Sequence, residues 1–289
     1  MSSSEARNMR KLKTILVVLA LAVPGPVLAA AEPAGLAGKV AIVTGSSSGI
    51  GRALAYRAAK SGMKLVLADI DLPGSQRVAE DVRKGGGEAI ALRADVSVEK
   101  DREALVRAAV EAFGGVHVLF NNAGYGYMAS QENIAMKGAR HQFDVNFFAY
   151  VDLAQRVIPH MKRAKGGTIV NVASVLGLTP GSPFTSMYTA SKHAVVGWGR
   201  TIAQELEDDG IAVKVVCPAG VKTNFHRNMK GKDAESVAEL MRAGWKSMAE
   251  PEDVAEQIFS GMARPGVLIL PRGVEDYLPA KTLEALAGE

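Results

Sequence analysis

The segment Tyr188-Thr189-Ala190-Ser191-Lys192 sets a phenol and an ammonium four residues apart, which places both on one face of a helix. A free tyrosine has a pKa near ~10 and is a poor base at neutrality, but a neighbouring cation stabilises its anion. Lys192 stands where it would do that, so the pair suits proton transfer at a substrate oxygen. This spacing is common by chance on helices, and the pair gains meaning only from its company.

A second constellation lies near the start of the chain. Val40-Ala41-Ile42-Val43-Thr44 reads as a buried strand and runs directly into Gly45-Ser46-Ser47-Ser48-Gly49-Ile50-Gly51. Glycines let backbone approach a pyrophosphate, and free amides at the start of the following helix bind its charge. Gly45, Ser47, Ser48, Gly49, Ile50 and Gly51 are therefore candidate phosphate contacts. Asp69 ends the next apolar run, where an acid would hold a ribose, while Asp71 better suits a helix cap. Asp95-Val96 and Asn122-Ala123-Gly124 follow two further runs, so they would share one rim with the glycine turn.

These groups need a scaffold, and the pattern supplies one. Strands are predicted at 40–44, 64–69, 88–93, 116–121, 168–173, 213–217 and 267–270. Helices are predicted between them at 49–61, 73–84, 98–113, 139–164, 184–208 and 252–262. Gly85-Gly86-Gly87, Gly114-Gly115 and Gly166-Gly167 fall where helix must pass to strand. The alternation predicts an α/β fold: a single Rossmann-type doubly wound domain over 39–289, with a seven-stranded parallel sheet and helices on both faces.

Residues 1–31 have the layout of a signal peptide or membrane-targeting segment, and 32–38 read as a linker. Arg10, Lys11 and Lys13 precede an apolar run over 14–23, which is too short to span a bilayer; Ala29 to Ala31 offer a cleavage site. Met9 is an alternative start. The expected location is the membrane surface, with export after cleavage or the cytoplasm as alternatives. This segment carries +3 of the formal +4 charge, so the rest is close to neutral and does not read as nucleic-acid-binding. Cys217 is the only cysteine and reads as a buried thiol; the five histidines have no metal-ligand spacing, and no metal is expected.

Taken together, the motifs resemble the short-chain dehydrogenase/reductase family from Lys39 to about Leu270. They are Thr-Gly-x-x-x-Gly-Ile-Gly at Thr44 to Gly51, Asn-Asn-Ala-Gly at Asn121 to Gly124, Asn146, Ser174 and Tyr-x-x-x-Lys at Tyr188 and Lys192. The resemblance implies that Tyr188 is the general acid or base and that Lys192 lowers its pKa and contacts the nicotinamide ribose. Ser174 would hold the substrate oxygen, although Ser182, Thr185 and Ser186 lie nearby, and Asn146 would position the catalytic helix and a water linked to Lys192.

The resemblance also brings Pro218, Val221 and Thr223 to the carboxamide, although Ala219 replaces the family's usual glycine. The C-terminal stretch 266–271 lacks the Val-Asp-Gly-Gly ending of many tetrameric members and looks more like members that act on lipophilic alcohols. Phe225, Met229, Met241, Trp245 and Met248 fall where the family places its substrate lid, and they also suit a plain core. The expected protein is a homo-oligomeric NAD-dependent oxidoreductase of a hydrophobic alcohol or carbonyl. The rivals are an NADPH-preferring carbonyl reductase and a non-catalytic dinucleotide-binding sensor or scaffold.

Overall fold

A computed structural model describes residues 35–287. The strands β1 (Val40–Thr44), β2 (Lys64–Asp69), β3 (Glu88–Arg93), β4 (Val118–Asn121), β5 (Gly167–Val172), β6 (Ile211–Val216) and β7 (Leu268–Ile269) form one sheet in the order β3-β2-β1-β4-β5-β6-β7. All six pairings are parallel. The chain winds outward from β1 in one direction and from β4 in the other, so the switch point lies between them.

The near-continuous apolar strands are explained by burial on both faces. In β1, Ala41 and Val43 join one core cluster while Val40 and Ile42 join another; in β2, Leu65 and Leu67 oppose Val66 and Ala68 in the same way. Helices cover both clusters. The first is packed by α1 (Gly49–Lys60), α2 (Leu72–Lys84) and, after β6, the helix Pro251–Met262. The second is packed by α3 (Glu99–Phe113) and by two helices that bracket β5, Ala149–Arg163 and Ser186–Glu205.

In chain order, the helices after α3 are α4 (Met136–Phe143), α5 (Ala149–Arg163), α6 (Ser186–Glu205), α7 (Ala234–Ala243), α8 (Pro251–Met262) and α9 (Ala280–Ala287). The sequence pattern differs from this at four main places. The helix predicted over 139–164 begins earlier, at Met136, and carries a π turn at Asp144–Phe148 between α4 and α5. Helix α7 and helix α9 are absent from the prediction, and β7 is only two residues long. Both unpredicted helices are short and pack on local apolar clusters, so their pattern is set by tertiary partners rather than by a long amphipathic stripe.

The expected targeting segment, 1–31, lies outside the described residues, as do residues 32–34 of the linker. Among the described residues, no helix is long and apolar enough to cross a membrane.

Candidate active site

The glycine turn after β1 is shaped by its own backbone. Gly45 and Gly49 adopt φ of +69° and +54°, a region that favours glycine. A Cβ on Gly49 would lie 2.8 Å from Thr223 Cγ2, and one on Gly51 would meet the Gly45 carbonyl oxygen at 2.0 Å. Any side chain here would fill the space a phosphate needs or drive α1 away from the turn. The turn is also tied to β4: the Thr44 hydroxyl accepts N–H bonds from Asn122 (3.0 Å) and Ala123 (3.1 Å), and Asn122 Nδ2 donates to the Thr44 carbonyl (2.9 Å).

Asp69 sits at the end of β2 beside this turn. Its carboxylate accepts the Ser47 N–H through Oδ2 and the Asp71 N–H through Oδ1, both at 3.0 Å. The acid is thereby held in place by two loops, and Asp71 caps α2 through the Gly74 N–H at 3.1 Å. Asp95 instead turns into its own loop, accepting the Ser97 N–H and hydroxyl, which leaves its backbone and Val96 facing the cleft.

At the other end, β5 leads to Ser174 and β6 to Pro218, whose carbonyl accepts the Val175 N–H at 2.9 Å. Helix α6 lies close on this part of the sheet: a Cβ on Gly199 would stand 2.4 Å from Val215, and one on Gly177 would stand 2.7 Å from the Lys192 carbonyl. Lys192 is buried, and its Nζ donates to the Val172 carbonyl at 2.9 Å while lying 5.7 Å from the centre of the Tyr188 ring. Burial lowers its pKa to about 8, with Cys217 pulling it back up. Tyr150 is fully buried below; its hydroxyl lies 3.1 Å from the Ala123 carbonyl and 3.3 Å from that of Val172.

Burial pushes the Tyr188 phenol up to about 12, against the lowering effect of a hydrogen bond from Ser174. The Lys192 ammonium is meanwhile engaged with the Val172 carbonyl. Asn146, in the π turn, makes a reciprocal pair with the backbone of Tyr125: Nδ2 donates to its carbonyl (2.9 Å) and Oδ1 accepts its N–H (3.1 Å). Its Nδ2 also reaches the Ser191 hydroxyl at 3.3 Å, which joins the loop after β4 to α6. A regular α-helix through 139–164 would rotate that side chain, and π turns recur where such re-aiming is needed.

These groups converge on one cleft of about 1840 Å³. Gly45, Ser47, Ser48, Gly49, Ile50, Asp69, Asp95, Val96, Asn122, Ala123, Gly124, Ser174, Tyr188, Lys192, Pro218, Val221 and Thr223 all line it. Gly51 and Asn146 stand behind the wall as packing and tethering positions. Ala219 does not break the path after β6: it packs with Val175, Val274 and Leu278, and Val221 bridges to Ala249. Of the lid residues, Phe225, Met229, Met241 and Met248 line the cleft, whereas Trp245 turns edge-on to His226.

Two wall segments were missed. Arg52 and Arg77, near the starts of α1 and α2, line the cleft and are not among the residues singled out from the sequence. A signal was present: both lie within the first two turns of helices that start at the rim. The C-terminal turn of Arg272 to Tyr277 also lines it, and no motif in the sequence announced that segment.

A doubly wound sheet with a glycine cradle and an acid at its switch point, sharing a cleft with a buried Tyr-Lys pair, defines a dinucleotide-dependent oxidoreductase scaffold. The chain belongs to the short chain dehydrogenase family, which it matches over residues 39–234. It is 36% identical over 221 residues to cyclohexanol dehydrogenase of Acinetobacter sp. (strain SE19), covering 76% of this chain and 86% of that protein. It is 30% identical to 7alpha-hydroxysteroid dehydrogenase of Escherichia coli (strain K12), covering 76% and 85%. A short chain dehydrogenase/reductase from Burkholderia phymatum, solved in complex with NAD, superposes with a TM-score of 0.79 at 32% identity over 86% of this chain and 92% of that one.

Proposed function

We propose that this chain is an NAD-dependent dehydrogenase that interconverts a hydrophobic alcohol and its carbonyl. The observation that carries this reading is the sharing of one cleft by the glycine cradle, Asp69, Ser174, Tyr188 and Lys192. A dinucleotide would lie along the strand ends, its pyrophosphate on the amides after Gly45, its adenosine ribose at Asp69, and its nicotinamide end near Lys192, Pro218, Val221 and Thr223. When bound, it supplies the acceptor or donor of the hydride.

The chain's own residues handle the proton. Ser174 holds the substrate oxygen against the Tyr188 hydroxyl, and Tyr188 gives a proton to that oxygen in reduction or takes it in oxidation. With its phenol near 12, Tyr188 holds its proton at neutrality and is ready to act as the acid. Acting as the base requires Lys192 to turn its charge towards the phenolate. Asn146 keeps α6 in register with the loop at Tyr125.

The hydrophobic substrate class is supported by the cleft wall of Met128, Phe225, Met229, Val237 and Met241. One observation favours the second reading, a preference for NADPH: Arg52 and Arg77 line the cleft and could answer a 2′-phosphate. Assembly as a homo-oligomer and attachment to a membrane surface through residues 1–31 belong to this proposal as well. The test is a panel of cyclic, steroidal and linear alcohols with each cofactor, followed by nicotinamide absorbance. Absence of turnover across a chemically broad panel, with NAD bound, would support the sensor reading instead.

A further inference from the structure

Beside Tyr188 one wall of the cleft is apolar. Met128, Met229, Val237 and Ala238 form a buried cluster, with Phe184, Tyr188, Phe225 and Met241 packed against it. Thioethers make such a wall adaptable in shape but offer no charge and little hydrogen bonding. The charge stands at the mouth. Arg227 closes the 3-10 turn Asn224–Arg227, which also carries Phe225, whose ring centre lies 5.4 Å from that of Tyr188.

Lys230 lies three residues on, and its backbone is pinned: its N–H donates to the Gly126 carbonyl at 2.9 Å, and its carbonyl accepts the Met128 N–H at 2.8 Å. Both side chains are exposed and line the cleft. Among the described residues, neither has an ion pair or a side-chain hydrogen bond. Their neighbours do: Lys222 pairs with Glu250, Arg242 with Glu235, and Lys232 donates to Asn133. The nearby carboxylate of Asp233 is taken by the Ser130 N–H at 2.8 Å.

A surface arginine or lysine is ordinarily just solvated. This pair differs in its placement, exposed on the same cleft that holds the apolar wall and the proton-transfer group Tyr188. Such a gradient matches a molecule with an apolar body, an alcohol or carbonyl at one end and a negative charge at the other. The other wall reinforces the polarity. The C-terminal turn brings Arg272 together with Glu275 and Asp276, so an anion gains nothing by turning that way.

We infer that the substrates are amphipathic anions, a hydrophobic alcohol or carbonyl whose remote carboxylate or equivalent is received by Arg227 and Lys230. The inference rests on the dehydrogenase reading above and adds the charge of the substrate to it.

The test uses the full chain with NAD and matched pairs: medium-chain hydroxy fatty acids with a secondary alcohol near the far end, and their methyl esters. Rim ion pairs are individually weak, so kcat/KM for the acid should exceed that for the ester by about five- to tenfold at low salt. The advantage should shrink at high salt, and the double variant Arg227→Gln/Lys230→Gln should bring the ratio to about one. In parallel, dodecanoate and methyl dodecanoate are titrated into the NADH-loaded protein, with cofactor fluorescence as a readout that needs no turnover.

Esters turned over as fast as acids by the wild type would overturn the inference and leave the dehydrogenase reading intact. An acid preference that survives in the double variant would overturn the assignment to these two residues. Dodecanoate binding that is lost in the double variant, with no alcohol oxidised at all, would uphold the charged mouth and sink the dehydrogenase reading.

Discussion

Lys192 donates its ammonium to the Val172 carbonyl at 2.9 Å and stands 5.7 Å from the centre of the Tyr188 ring, so the two groups of the Tyr-x-x-x-Lys pair share a face without yet sharing a proton. Helical spacing brings them together, and the end of β5 decides which partner the lysine takes. Burial keeps the phenol protonated well above neutrality.

Replacing Tyr188 with Phe should lower turnover by about 10²- to 10⁴-fold, the usual contribution of a positioned proton-transfer group. The hydroxyl is assigned to proton transfer and not to the dinucleotide, so NAD affinity should change by less than about threefold, about half of a tenfold step in free energy. Steady-state rates and a cofactor titration on the same preparation separate the two. Retention of more than about a tenth of the activity would remove Tyr188 from the acid/base role.

The burial of Lys192 has a thermodynamic consequence with a definite sign. Folded, it takes up its proton near 8; unfolded, near 10.5. Between those values the unfolded chain binds more protons, so the stability contributed by this residue rises with pH across that window and is lowest below 8. Lys192→Met should therefore be inactive yet more stable, by about 1–3 kcal/mol at neutrality, with Tyr150 left to satisfy the Val172 carbonyl. Melting temperatures of both proteins at neutral pH and near pH ~10 check it, since the gap should narrow as pH rises. A gap that widens with pH, or a variant less stable at neutrality, would contradict a strained ammonium.

Much of the site could be read from the chain because it is written in local motifs. Gly45, Gly49 and Gly51 stand together in one strand-to-helix turn, and Tyr188 and Lys192 follow helical spacing. The sheet was legible for a similar reason: doubly buried strands are continuous apolar runs bounded by glycine. What escaped depends on contacts far apart in sequence. The π turn at Asp144–Phe148 answers to Tyr125 and Ser191, and the C-terminal wall exists only because Val274 and Leu278 find Val175. Arg52 and Arg77 were overlooked because their charges look like ordinary helix surface until the rim is folded.

Cofactor choice should follow Asp69. Its carboxylate is held by the Ser47 and Asp71 amides, so it cannot swing away from a 2′-phosphate without breaking both bonds. NAD should be preferred by kcat/KM by at least about tenfold, and Asp69→Asn should reduce that preference, since it removes the like charge but keeps the shape. Arg52 and Arg77 should then set the residual NADP activity, and changing both to Gln in the Asp69→Asn background should lower it again. Equal use of the two cofactors by the wild type would show that the arginines already outweigh the acid.

A chain beginning at Glu32 should keep its activity while losing its attachment to membranes. Every motif residue lies beyond Lys39, and the first described contacts that close the domain are the Gly38 N–H on the Gly62 carbonyl and the Lys64 N–H on the Lys39 carbonyl. Removing the preceding residues takes away no strand, no cleft residue and no core side chain among those described, so the fold has what it needs to close. The removed stretch holds Arg10, Lys11 and Lys13 ahead of a ten-residue apolar run, a combination that favours an anionic lipid surface. Dinucleotide chemistry also needs a compartment that maintains a nicotinamide pool, which argues for retention at the cytosolic face over release. Fractionating cells that express each version, with activity measured in both fractions, decides the two halves separately. Full-length protein found uncleaved and free of membranes would end the targeting reading, and a folded but inactive shorter chain would end dispensability.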